Sequence, residues 1–289
     1  MTASAGVELF DVTHARRRRI YLHRPSVIAV IAWACIGLMV VLALFGQTFT
    51  NDPTRLSRDV LQTPSGSHWF GTDALGRDYF ARVVRGARLS IGLSIATMLI
   101  STSAALVIGL ISAFFKGVFD LLVQRIIDML LAFPGLVLVM FMASLFGASA
   151  RSLIVSLSLL LTPGLSRVVR ASALTLMGEP YVDAARAIGA SDTRIIIRHM
   201  LPNMVAPILV YSSTGLGVVI LAEGALSFLG LGVSAPTPSW GQMLSESRNR
   251  LGQPWLSVFP GIAITIAVLG FNLLGDVLRD SLDPRLRRR

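Results

Sequence analysis

The sequence has almost no lysine and almost no cysteine: one of each, Lys116 and Cys35, in 289 residues. A single cysteine excludes a disulfide framework, and its place inside an apolar run leaves the redox compartment undefined. The one lysine follows Phe114-Phe115, so no phosphate loop of the form G-x-x-x-x-G-K-[ST] exists. Any use of ATP therefore has to occur in another chain. Histidine is scarce too. His14, His23, His68 and His199 lie far apart without metal-ligand spacing, and no nucleophile and base fall in a catalytic pattern. Charged residues make up only 15%, too few for an ordinary soluble surface.

What the chain has instead is apolar length. Hydrophobic residues make up 53%, mean hydropathy is +0.68, and several runs can cross about 30 Å of hydrocarbon. The expected fold is all-α, a polytopic membrane protein with about six spans. The net charge of +10 comes from 25 arginines and Lys116 against 16 acids. Such a balance suits nucleic acid, but it is also what the basic cytoplasmic ends of a membrane protein produce, so no nucleic-acid partner is expected.

One stretch interrupts this pattern. Residues 179–203, EPYVDAARAIGASDTRIIIRHMLPN, form a polar segment of helical character between long apolar runs. It carries Arg186, Arg194 and Arg198. At roughly 2.5–3.5 kcal/mol per central arginine, sinking all three would cost on the order of 8–10 kcal/mol, so the segment belongs outside the bilayer. Ala184, Ala185 and Ile188 recur at i, i+3, i+4 spacing on one expected face, and Gly189 supplies a left-handed C-terminal break. Ser191 or Asp192 can cap a second helix, expected to yield near Pro202, which lacks an amide proton. The expectation is a compact amphipathic elbow.

Asp183-Ala184-Ala185, Gly189 and Leu201-Pro202 together resemble the EAA loop of permease subunits of bacterial ABC importers. Asp183 stands for the usual glutamate and His199 for an isoleucine. The ending His199-Met200-Leu201-Pro202-Asn203 resembles the dipeptide, oligopeptide and nickel branch. More than a hundred residues earlier, His68-Trp69-Phe70-Gly71-Thr72-Asp73-Ala74-Leu75-Gly76-Arg77-Asp78 resembles the H-x-x-G-T-D-x-x-G-R-D signature of the same branch, and the stretches at 221–232 and 275–285 agree with it. The second, C-type permease of dipeptide and oligopeptide importers is the nearest likeness. The resemblance implies a type I permease fold whose elbow is a coupling helix, with Asp183, Ala184, Ala185, Ile188, Gly189, Leu201 and Pro202 meeting an ATP-binding subunit. It implies a homologous second permease, two ATP-binding subunits that hold ATP and Mg, and an external solute-binding protein. No cofactor or metal is implied in this chain, nor catalysis by it.

Along the chain we expect a basic tail at 1–24 and a first, uncleaved span at 25–47. A loop at 48–88 would end in a short interfacial helix, 79–88. The permease core would occupy 89–279, and a second basic tail 280–289. The core spans would be 89–115, 119–147 kinked at Pro134, 152–176 broken at Pro163-Gly164, 204–231 and 256–274. Trp240 and Trp255 are expected at the membrane surface. Arg125 and Asp128, at i, i+3, are expected to pair. Glu223 lies inside a span, which makes it a functional candidate by default, with a structural or gating role preferred to cargo recognition. With both termini cytoplasmic, seventeen basic residues fall inside and nine outside, as the positive-inside rule requires. The bacterial cytoplasmic membrane is the expected location.

The cargo expected from the resemblance is a dipeptide or oligopeptide, with nickel, glutathione or haem as alternatives. A different class, an ion-coupled secondary transporter using Glu223 and Asp128 as its path, competes with this reading. Few charges inside the spans and the presence of the elbow weigh against it. The sequence names no cargo-contacting residue.

Overall fold

The computed structural model describes residues 27–50, 52–233 and 236–282. The first basic tail and most of the second lie outside these described residues. Among the described residues, ten α-helices and one π-helical turn follow one another: α1 (Val27–Phe49), α2 (Tyr79–Phe115), α3 (Gly117–Ala132), α4 (Gly135–Phe146), α5 (Ala150–Met177), α6 (Pro180–Ala187), α7 (Asp192–Ile195), the π turn Ile196–Met200, α8 (Leu201–Phe228), α9 (Trp240–Ser247) and α10 (Trp255–Leu282). Among the described residues, five helical runs are long and apolar enough to cross a membrane. They are α1, α2, α5, the continuous run Asp192–Phe228 and α10; the bent pair α3–α4 makes a sixth if taken as one span. The protein is therefore an all-helical, multi-pass membrane protein.

α2 is the central post. It packs lengthwise on α5, while α8 pairs with α10, α1 leans on α10 and α2, and α4 lies on α5. Small residues permit the closest approach: a Cβ at Gly109 of α2 would stand 2.7 Å from the Ser166 carbonyl oxygen of α5. Three apolar clusters result. One gathers Tyr79, Ile220, Trp240, Met243 and Leu256 at the end where α2 begins. A second joins Val169, Ala173, Val182, Ile195 and Met200 at the opposite end. A third, between α2, α5 and α8, contains Leu93, Leu153, Leu157 and Val219. Side chains pointing away from these clusters, such as Leu44, Leu99, Phe141 and Leu221, are exposed and apolar, as a surface facing lipid must be.

The structure departs from the sequence expectations at several places, each for a local reason. The separate interfacial helix at 79–88 does not exist, because α2 runs unbroken from Tyr79 to Phe115. No proline interrupts it, and the charge of Arg82 is met by Asp73 and Glu246. The kink expected at Pro134 is instead a break, with α3 and α4 meeting at 89°. Proline disfavours the helical region in the residue before it, and Phe133 is accordingly extended (φ −76°, ψ 134°). The break expected at Pro163-Gly164 is absent, since α5 continues through Pro163. Its buried neighbours Leu165 and Ser166 hold that turn in place. Trp240 is fully buried rather than interfacial, and its indole Nε1 donates to the Val83 carbonyl at 2.9 Å.

Candidate functional site

The elbow expected at 179–203 is present. Pro180 opens α6 at a position where its missing amide proton costs nothing, and Asp183 and Arg186 face each other at 3.7 Å on the exposed side. The helix ends in a Schellman motif: the Gly189 amide donates to the Arg186 carbonyl at 2.9 Å and the Ala190 amide to the Ala185 carbonyl at 3.0 Å. Gly189 adopts φ +81° in open space. Backbone conformation alone, with no steric demand, selects glycine there.

Ser191 precedes α7 but makes no side-chain cap. The second elbow helix does not stop at Pro202, as expected. It widens into the π turn at Ile196–Met200 and continues into α8, with Pro202 in the first α-turn. A widened turn accommodates the proline, which can neither donate to the carbonyl four residues back nor tolerate its close approach.

The elbow has two faces, and the sequence pattern divided them incorrectly. Val182, Ala185, Ile195 and Met200 are buried against α5 and α2. Ala185 therefore anchors the elbow to its own chain, because the turn that places Val182 inward also turns residue 185 inward. Ala184 is exposed, and Ile188 and Ile197 are 85% and 60% exposed. Tyr181, which the sequence did not single out, closes the elbow across its base. Its ring lies 6.4 Å from that of His199, and Asn203 Nδ2 donates to the His199 carbonyl at 2.6 Å. Leu201 is half-buried and Pro202 exposed.

At the other end of the helices stands a polar headpiece. Asp73 accepts from the Leu75 amide (2.8 Å), the Arg77 amide (3.0 Å) and Arg77 Nε (2.6 Å), and also from Arg82 Nη1. Arg82 then reaches Glu246 of α9 through Nη2 at 2.9 Å. Burial alone would raise the Asp73 pKa, but the Arg77 amide and the Arg82 guanidinium outweigh it and hold the carboxyl below the usual range. Asp78 caps α2 by accepting from the Ala81 amide at 2.9 Å, while its other oxygen meets His68 Nδ1 at 3.0 Å. The signature at 68–78 is thus a clamp that starts α2 and ties it to α9. Arg82 and Glu246 lay outside the quoted motif, and no local spacing could have joined them.

Glu223 is buried five residues before the end of α8. It accepts from Ser227 Oγ (2.8 Å), Ser239 Oγ (2.8 Å) and Ser90 Oγ (3.2 Å). Ser239 also caps α9 through the Gln242 amide at 3.1 Å. Glu223 therefore joins α2, α8 and α9. Arg125 and Asp128 pair at 4.0 Å on exposed surface, as expected, and Asp128 has a second, closer partner in Arg167 of α5. Asp120 and Arg170 form a parallel link from α3 to α5, with Arg170 Nε at 2.7 Å. The structure thus leaves Glu223, Asp128 and the elbow in three separate places.

Long apolar helices interrupted by an anchored polar elbow, and closed at the far end by a clamped headpiece, define a transport permease. Residues 105–288 match the family described as binding-protein-dependent transport system inner membrane component. The dipeptide transport system permease protein DppC of Alkalihalophilus pseudofirmus is 39% identical over 267 residues, covering 91% of this chain and 88% of the relative. A putative peptide transport system permease of Brucella abortus is 41% identical, covering 93% and 91%. The glutathione transport system permease GsiD of Pectobacterium atrosepticum is 37% identical, covering 90% and 88%. A solved structure of the MetNI methionine ABC transporter in an inward-facing conformation shares the fold, with a TM-score of 0.59 at 17% identity over 70% of this chain and 96% of that one. The chain belongs to the binding-protein-dependent transport system inner membrane component family and is a permease subunit of an ABC importer.

Proposed function

We propose that this permease forms half of the path for short peptides, with a homologous permease as the other half. The elbow at 179–203 would couple the path to one of two ATP-binding subunits, and an external protein would deliver the cargo. Both termini would face the cytoplasm. The observation that carries the coupling reading is the elbow's division of labour: one face is locked into the chain's own core, while Ala184, Ile188 and Ile197 are left outward. A short helix that seats in a groove needs a few such apolar anchors, and a rigid inner face lets it pass force to the helices behind it.

Peptide cargo is favoured by the likeness to permeases named for dipeptide and peptide transport, and glutathione, itself a small peptide, by the likeness to GsiD. Nickel and haem are less favoured. ATP and Mg would be bound by the partner subunits, and this chain would carry out no catalysis.

The test compares two substitutions in the reconstituted importer. Ile188→Asp puts a charge on the outward face, where docking would have to desolvate it. It should leave the permease folded and abolish both ATPase stimulation by cargo-loaded binding protein and peptide uptake. Ala185→Asp puts the charge into the chain's own core and should lower yield and thermal stability. Wild-type stimulation and uptake in an assembled Ile188→Asp complex would sink the coupling assignment.

A further inference from the structure

Beside the last turn of α1 and the first turns of α2 lies a cleft of about 440 Å³, walled in part by Gln47, Thr50, Asp52, Thr54, Arg85 and Pro238. Its size suits a small polar ligand. A close helix contact creates it. A Cβ at Gly46 would meet Val84 Cγ1 at 2.1 Å, so α1 and α2 touch there and the next residues, Gln47 and Arg85, reach the same mouth.

The polar groups of this cleft are not all used. Gln47 Nε2 is shut away from solvent without an acceptor among the described residues, although a buried amide donor normally has one. Arg85 makes no hydrogen bond or close ion pair among the described residues, and its charge reaches Asp52 only at longer range. Asp52 commits one oxygen, Oδ1, to the Thr54 amide (2.9 Å) and hydroxyl (2.7 Å), and its other oxygen makes no hydrogen bond among the described residues. The Thr54 hydroxyl and amide hold this carboxyl below its usual range, with Arg85 and Arg55 adding to the effect. The cleft thus offers a guanidinium and an amide N–H for an anion, and a carboxylate oxygen for a cation.

Its position narrows the ligand. Leu44, Phe45 and Phe49 project from the last turns of α1, 65%, 54% and 79% exposed. Such a surface is stable against hydrocarbon, which puts Gln47 and Thr50 where the span meets the headgroup layer. We propose that this cleft binds the headgroup of a phosphatidylethanolamine molecule, with the phosphate on Arg85 and Gln47 Nε2 and the primary ammonium on Asp52. The planar guanidinium suits a phosphate diester. A phosphocholine has no N–H for Asp52, and a phosphoglycerol brings no cation and is repelled by it. A zwitterionic peptide carries the same two charges, but the lipid-facing rim favours the lipid.

The purified importer would be titrated with phosphatidylethanolamine, phosphatidylcholine and phosphatidylglycerol of matched acyl chains, and bound lipid counted by native mass spectrometry. Phosphatidylethanolamine should be retained over both others by about fivefold, the scale of one exposed ionic contact. Arg85→Gln and, more mildly, Gln47→Leu should lower that retention. Asp52→Asn, an exposed substitution that leaves Arg85 in place, should erase the preference for ethanolamine over choline while phosphatidylcholine binding persists. Equal retention of the three lipids would overturn the proposal, as would unchanged retention in assembled Arg85→Gln and Gln47→Leu variants. Displacement of the bound lipid by dialanine would overturn it in favour of a peptide site.

Discussion

Asp73 and Glu223 are both buried acids, and their partners give them different sensitivities. Asp73 faces two guanidinium groups and two amides, so it is stabilised as a carboxylate and its pKa falls. A depressed pKa contributes stability that is fully present above the ordinary aspartate value of about 3.9 and is lost as pH falls through the lower, folded-state value. The melting temperature of wild type should therefore exceed that of Asp73→Asn by a constant margin above about pH 5, and the margin should close at lower pH. A margin independent of pH down to 3 would refute the clamp's ionic character. Glu223 faces three hydroxyls instead. Glu223→Gln keeps an acceptor of the same shape and should leave assembly and uptake near wild type. Glu223→Leu strands the three hydroxyls at about 1–3 kcal/mol for each left unsatisfied, and should release α9 and lower thermal stability. Loss of uptake in an intact Glu223→Gln complex would instead make Glu223 a gating or cargo residue.

At the scale of the element, the elbow turns on its Schellman motif. Valine in the left-handed conformation of Gly189 costs roughly 1–2 kcal/mol, whereas asparagine visits that region readily. Gly189→Val should therefore misdirect α7 relative to α6 and reduce cargo-stimulated ATP hydrolysis, with normal membrane insertion, while Gly189→Asn should retain most of it. Equal activity of the two variants would show that the turn does not set the docking surface. The elbow also shows what a pattern can and cannot convey. Its polarity and its glycine were legible because they depend on composition and local backbone chemistry. The inward turn of Ala185 and the passage of the second helix through Pro202 were not, because the first depends on where α5 lies and the second on a π turn that no residue type announces.

For the whole molecule, the arginine distribution predicts a direction that labelling can test. In a chain with Cys35 replaced by alanine, Leu251→Cys, in the exposed link between α9 and α10, should react with an impermeant maleimide in intact cells. Asp280→Cys, on the exposed last turns of α10, should react only after the membrane is opened. The reverse pattern would invert the topology. Membrane residence and helical class followed from the sequence by itself, because hydrophobic length and the cost of burying arginine are local, additive quantities. Only the tertiary structure decided which helices are continuous, which face of the elbow is free, and that Asp73, Arg82 and Glu246 form one clamp while Ser90, Ser239 and Glu223 form another. Residues 82 and 246, like 90 and 223, come within hydrogen-bonding distance only when helices far apart in the chain pack together, and that packing follows from the shapes of many side chains at once rather than from any spacing along the chain.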